Sequence, residues 1–145
     1  MFRRWVPVLM AGALAGCGSA PALDVEDAWV RLPAVPSRPA AAYFTVQGGA
    51  EPRTLVRVTA DYAVRAEMHE TLSAGGRASM RAIPAVPIPA GDEVEFEPGG
   101  RHVMLFNLDR RAQPGATTLL TLTFDDGRRL SRKAWLVGAG QDGPR

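Results

Sequence analysis

The chain is poor in the side chains that most often define a small exported domain or a metal enzyme. Of 145 residues one is cysteine, two are histidine and five are methionine, and aromatic residues make up 7%. One cysteine allows no intramolecular disulfide, whatever the redox compartment. Neither sign of charge dominates, since 17 Lys and Arg against 15 Asp and Glu give a formal +2. No apolar run approaches the roughly 20 residues that span a bilayer. The mean hydropathy of −0.06 with 22% charged residues excludes both a disordered chain and a polytopic membrane protein. Heptads, internal repeats and helical periodicity are missing as well. So are a Ser/His/Asp order, a glycine-rich phosphate loop and a buried acid pair, so no enzymatic reading is supported. What remains is one domain of sufficient length for a core.

The first residues read as an export signal. Arg3 and Arg4 precede an eleven-residue apolar stretch, Trp5 to Ala15, which is short for a membrane span and typical of a signal peptide. Leu14-Ala15-Gly16-Cys17 resembles the lipobox of bacterial lipoproteins, in which the cysteine becomes the acylated first mature residue. The alternative is an ordinary signal peptide cleaved near Ala20 or Ala22. The expected division is a signal peptide over 1–16, a lipidated tether over 17–23, a β domain over 24–138 and a flexible tail over 139–145. That places the protein in the periplasm or cell envelope, held to a membrane by a lipid anchor on Cys17. Removing residues 1–16 takes Arg3 and Arg4 with it and leaves 15 basic and 15 acidic residues. With no dense basic block interleaved with aromatics, no nucleic-acid partner is expected.

The mature chain predicts an all-β fold, a sandwich or Greek-key barrel of about nine short strands. Alternation marks strands at 27–32, 41–46, 54–60, 64–72, 77–83, 93–97, 101–108, 117–124 and 130–137. Gly75-Gly76 and Asp125-Asp126-Gly127 signal hairpins, and Pro84, Pro87 and Pro89 punctuate a linker. In strand 64–72, Val64, Ala66 and Met68 share one face, and Arg65, Glu67 and His69 the other. Met68 is therefore read as core.

Both histidines and two of the mature methionines fall into one spaced set, His69-x10-Met80-x21-His102-x-Met104. His102 and Met104 project from the same face of a strand. A two-residue turn at Gly75-Gly76 pairs His69 with Ala82, which makes Met80 the same-face diagonal neighbour of His69, within reach of a long side chain. Two local pairs, each nitrogen plus sulfur, can then converge on one ion. Neutral, soft thioethers discriminate against zinc, magnesium and calcium and favour Cu(I). A blue-copper centre needs a cysteine, and a zinc site usually recruits thiolate or carboxylate. The expectation is one Cu(I) per chain, bound by two His and two Met. Glu67 and Glu70 could orient an imidazole, but a solvated glutamate is the simpler reading of each.

With these motifs in place, the chain resembles the periplasmic copper chaperones known as the PCuAC family. The resemblance runs through Ala28–Arg31, Ala41–Val46, Met68–Thr71, Ile88–Gly91, Pro98–Leu105 and Leu122–Phe124, and the four-ligand motif matches at every position. It implies a cupredoxin-like barrel holding Cu(I) near the surface at His69, Met80, His102 and Met104. It further implies delivery to the cytochrome c oxidase CuA subunit or to a Sco-type assembly protein; a monomer is expected. Copper sequestration and a metal-free structural lipoprotein are the alternatives. The sequence departs from the family around Gln47–Glu51, a loop, and at Gly138–Arg145, which lacks the His/Met-rich extension of some relatives.

Overall fold

The computed structural model describes residues 16 and 18–144. Most of the expected signal peptide, and Cys17, lie outside the described residues. Ten strands follow one another without a helix among those residues: β1 (Asp24–Arg31), β2 (Ala40–Gln47), β3 (Arg53–Ala60), β4 (Ala63–Ala74), β5 (Arg77–Ala82), β6 (Val86–Ile88), β7 (Glu93–Phe96), β8 (Arg101–Leu108), β9 (Thr117–Phe124) and β10 (Arg129–Val137). None of the described elements is a helix long and apolar enough to cross a membrane.

The strands form one sheet in the order β5-β4-β8-β2-β1-β10-β9-β3-β6, and β7 pairs with the remaining length of β2. Every pairing is antiparallel except β1 with β10. The sheet wraps around a single core in which Phe44, Leu55, Leu105, Leu120, Leu122 and Phe124 are fully buried. Phe44 stacks on Phe96 with ring centres 4.4 Å apart. Met68 is buried in this core, as its strand face predicts.

The tenth strand is the departure from the expected count. Val86-Pro87-Ile88 sits among the prolines read as a linker, yet it pairs with β3 through Arg53 to Leu55. It lies at the end of the strand order, where proline's missing N–H leaves no ladder bond unmade. Two bulges also break the expected alternation. In β1 the register shifts between Glu26 and Trp29, around an Asp27 with φ of 51°, so Val25, Ala28 and Val30 all face inward. In β3 the shift between Leu55 and Arg57 turns Leu55 and Val58 inward and leaves Val56 exposed. Val64, grouped with Met68 in sequence, is 84% exposed, while its neighbour Ala63 packs against the core.

Both ends of the expected domain make specific contacts. Leu23, assigned to the tether, is buried in the core. Residues 139–144, expected as a flexible tail, lie along β1: Arg31 Nε donates to the Gln141 carbonyl at 2.8 Å and its guanidinium pairs with Asp142 at 2.5 Å. Gly143 packs its backbone against the Trp29 ring so closely that a Cβ there would collide with it.

The 48–51 loop after β2 is closed by Gly48. Its N–H donates to the Asp92 carbonyl at 2.7 Å. An added Cβ would run into the Pro89 carbonyl oxygen and stand 2.9 Å from that of Asp92. Backbone cannot yield as a side-chain tip can. Gly48→Ala is therefore expected to lower stability by about 1–3 kcal/mol, the usual range for overpacking. Urea unfolding measures it, and an unchanged midpoint would show that this loop shifts freely.

Candidate metal centre

The site is built on three neighbouring strands, β5, β4 and β8. Gly75 and Gly76 adopt φ of 58° and 73°, the left-handed pair that a two-residue hairpin turn requires. That turn sets the register, with His69 opposite Ala82 and Thr71 opposite Met80. On the other side of β4, His69 is directly opposite His102, and Glu67 is opposite Met104. Residues opposed across a ladder share a face, as do residues two apart on a strand. All four predicted donors therefore stand on one face: Met80 on β5, His69 on β4, His102 and Met104 on β8. The neighbours Ala82 and Ala41, opposite His69 and Met104, are small and leave that face open around the donors.

The two imidazoles face each other with ring centres 5.9 Å apart and planes tilted by 31°. A metal–imidazole bond of about 2 Å puts a ring centre about 3 Å from the ion, so one ion can serve two rings up to about 6 Å apart. Each ring has one nitrogen engaged and one orphaned. His102 Nδ1 lies 3.1 Å from the Gly100 carbonyl oxygen, and a carbonyl can only accept, so Nδ1 carries the proton. His69 Nε2 lies 3.2 Å from Glu67 Oε2, and by the same reasoning Nε2 carries the proton there. The remaining nitrogens, His102 Nε2 and His69 Nδ1, are buried and have no hydrogen-bond partner. Buried polar atoms are nearly always paired, so two orphans on facing rings call for a ligand.

The donors differ in access. His102 is 4% exposed, whereas Met80, on the outermost strand, is 61% exposed. Every residue of β5 is exposed. Among the described residues no group of three or more His, Cys, Asp or Glu side chains could hold a metal ion. On this face the two imidazoles stand with Glu67 beside His69 and with Met80 and Met104 on the flanking strands.

Glu67 departs from its expected role as a solvated side chain. One of its carboxylate oxygens meets His69 and the other pairs with Arg65. Its period-2 position put it on the right face, but only the placement of Arg65 distinguishes bonding from solvation. Glu70, on the opposite face, pairs with Arg81 and does not reach an imidazole. Further along the same sheet, Tyr43 packs against Trp29 at 4.5 Å between ring centres. Burial raises its hydroxyl pKa above the ordinary value, against the opposing pull of Arg31.

The family model described as "Putative lipoprotein LpqE-like" matches residues 23–135. The chain belongs to the LpqE-like family. This LpqE-like chain is 34% identical over 107 residues to "Putative lipoprotein Lxx21020" of Leifsonia xyli subsp. xyli (strain CTCB07), covering 72% of its own length and 63% of that relative's. It thus spans less than two thirds of that protein. Among solved structures it is similar to CuI-DR1885 from Deinococcus radiodurans, with 31% identity, a TM-score of 0.65, and coverage of 85% of this chain and 83% of that one. The copper-bound PCuAC domain from PmoF2 has a TM-score of 0.65 at 21% identity, covering 83% of this chain and 98% of that domain. At that identity the likeness speaks for the fold alone. The LpqE-like chain has the all-β, cupredoxin-like fold of the PCuAC domains.

Proposed function

We propose that this protein is an envelope lipoprotein that binds one Cu(I) through His69 Nδ1, Met80 Sδ, His102 Nε2 and Met104 Sδ, and hands it to an acceptor. The observation that carries the reading is the pair of buried, partnerless imidazole nitrogens on facing strands. The thioethers on the same face select the metal, because soft neutral sulfur suits Cu(I) and discriminates against zinc, calcium and magnesium. One similar structure above 30% identity, CuI-DR1885, is copper-loaded by its own description, and this supports the same cargo here. The lipobox at Cys17 and the lipoprotein relatives support a lipid anchor.

Binding and release, rather than catalysis, is the chemistry such a site offers. Four neutral donors hold Cu(I) without adding charge, and an incoming cysteinate is a stronger soft donor that displaces them one at a time. Met80, exposed on the edge strand, is the donor that an acceptor meets first. The proposed acceptor is the CuA subunit of cytochrome c oxidase or a thiol-bearing assembly protein of the Sco type.

Titration of the soluble domain with Cu(I) against a competing chelator tests the binding. One equivalent is expected, and Met80→Leu and Met104→Leu should each weaken it measurably. Retention in both variants would overturn the thioether assignment. Acidification should also release the metal, because a protonated imidazole has no lone pair to donate. Mixing the loaded protein with a CuA domain tests delivery, and cells lacking the chaperone should lose oxidase activity at low copper. Normal oxidase activity with raised copper sensitivity would instead favour sequestration.

A further inference from the structure

Along the outer face of β4 three side chains stand in sequence at two-residue spacing: Arg65, Glu67 and His69. An exposed glutamate ordinarily stays solvated, because a surface ion pair gains little and holding it costs side-chain entropy. Here both carboxylate oxygens are engaged. Oε1 pairs with Arg65, and Oε2 accepts from His69 Nε2 at 3.2 Å. Arg65 is itself held, since its guanidinium carbon lies 4.0 Å over the ring of Phe106, the residue directly opposite it on β8. The run from Phe106 through Arg65 and Glu67 thus ends on one nitrogen of one imidazole. His102 has a different anchor, the Gly100 carbonyl, and that anchor engages the other nitrogen.

We infer that Glu67 is a positioning residue, which, braced by Arg65 on Phe106, keeps the His69 proton on Nε2 and so presents Nδ1 as the donor. The two histidines consequently offer opposite ring nitrogens to the metal. A carboxylate partner also fixes the orientation of the imidazole, which aims the nitrogen on the far side of the ring. The inference rests on the copper reading above for its functional consequence, but the proton's position is a property of the metal-free protein. Glu67 touches no metal; its role is exercised through His69.

Long-range proton–nitrogen correlation of the histidine rings in the metal-free protein reads the proton directly. In the wild type, His69 should show a single tautomer protonated at Nε2, and His102 one protonated at Nδ1. Glu67→Ala should move the His69 nitrogens toward values averaged over both tautomers and leave those of His102 unchanged. The same variant should bind Cu(I) about 10–100-fold more weakly, the range seen when an outer partner of a ligand is lost. Glu67→Gln, whose amide oxygen still accepts from Nε2, should recover most of that affinity. A wild-type His69 protonated at Nδ1, or equal losses in the Gln and Ala variants, would overturn the inference. A wild type that takes up no Cu(I) would defeat the copper reading instead, while the ring-nitrogen shifts still decide what Glu67 does.

Discussion

His102→Leu should abolish tight Cu(I) binding without destabilising the metal-free protein. Most substitutions of a residue only 4% exposed lower stability, and large-to-small changes in a core cost about 2–5 kcal/mol. His102 is a different case. In the absence of metal its Nε2 is buried without a partner, and an orphaned polar atom carries a desolvation penalty of about 1–3 kcal/mol. Leucine removes that penalty, fills comparable volume and forfeits the single bond from Nδ1 to the Gly100 carbonyl, worth about 0.5–1.5 kcal/mol. The two effects nearly cancel or favour the variant. Copper affinity should meanwhile fall by more than the ~100-fold upper range for losing an outer partner, because a donor atom itself has gone. Urea unfolding of the apo protein and Cu(I) competition on the same sample provide both readings. A loss of several kcal/mol with affinity intact would make His102 a structural histidine and remove the basis for the site.

Part of the site was legible in sequence because local backbone rules place its side chains. Strict alternation placed Glu67 and His69 on one face, and Gly75-Gly76 fixed the hairpin register that sets His69 against Ala82 and Met80 beside it. Those are local relations, decided within a few residues by backbone geometry. The pairing of β4 with β8, which sets His69 against His102, joins residues far apart in the chain and follows from how the whole sheet closes around its core. Nothing local encodes it. The bulge at Asp27 and the short strand around Pro87 escaped for a related reason. No turn signal at Asp27 announces its positive φ, and a tripeptide centred on proline forms a strand only because β3 presents a free edge there. Glu67 was visible as a face and not as a bond, since its partner Arg65 is itself held by Phe106 from another strand.

Copper should act as a staple on the β4–β5 hairpin. Three of the proposed donors sit on β4 and β8, strands that bury Met68, Val103 and Leu105 in the core. Met80 sits on β5, whose six residues are all exposed and which, among the described residues, pairs with β4 alone. A strand held by one ladder and no core contact opens at low free energy. A bond from Met80 to an ion gripped by β4 and β8 ties that strand to the body of the protein. Free Cu(I) at about 1,000 times its dissociation constant should add about 4 kcal/mol of stability. For a domain of this size that corresponds to a rise in Tm of roughly 15 °C. Hydrogen exchange should show the gain in protection extending through residues 77–82, all exposed and expected to exchange readily in the apo protein. Met80→Leu separates the two effects: Tm should still rise on loading, by less, while the amides of β5 should exchange as they do without metal. Were β5 equally protected in loaded wild type and loaded Met80→Leu, Met80 would not be a ligand, and the site would have to close with three donors from β4 and β8.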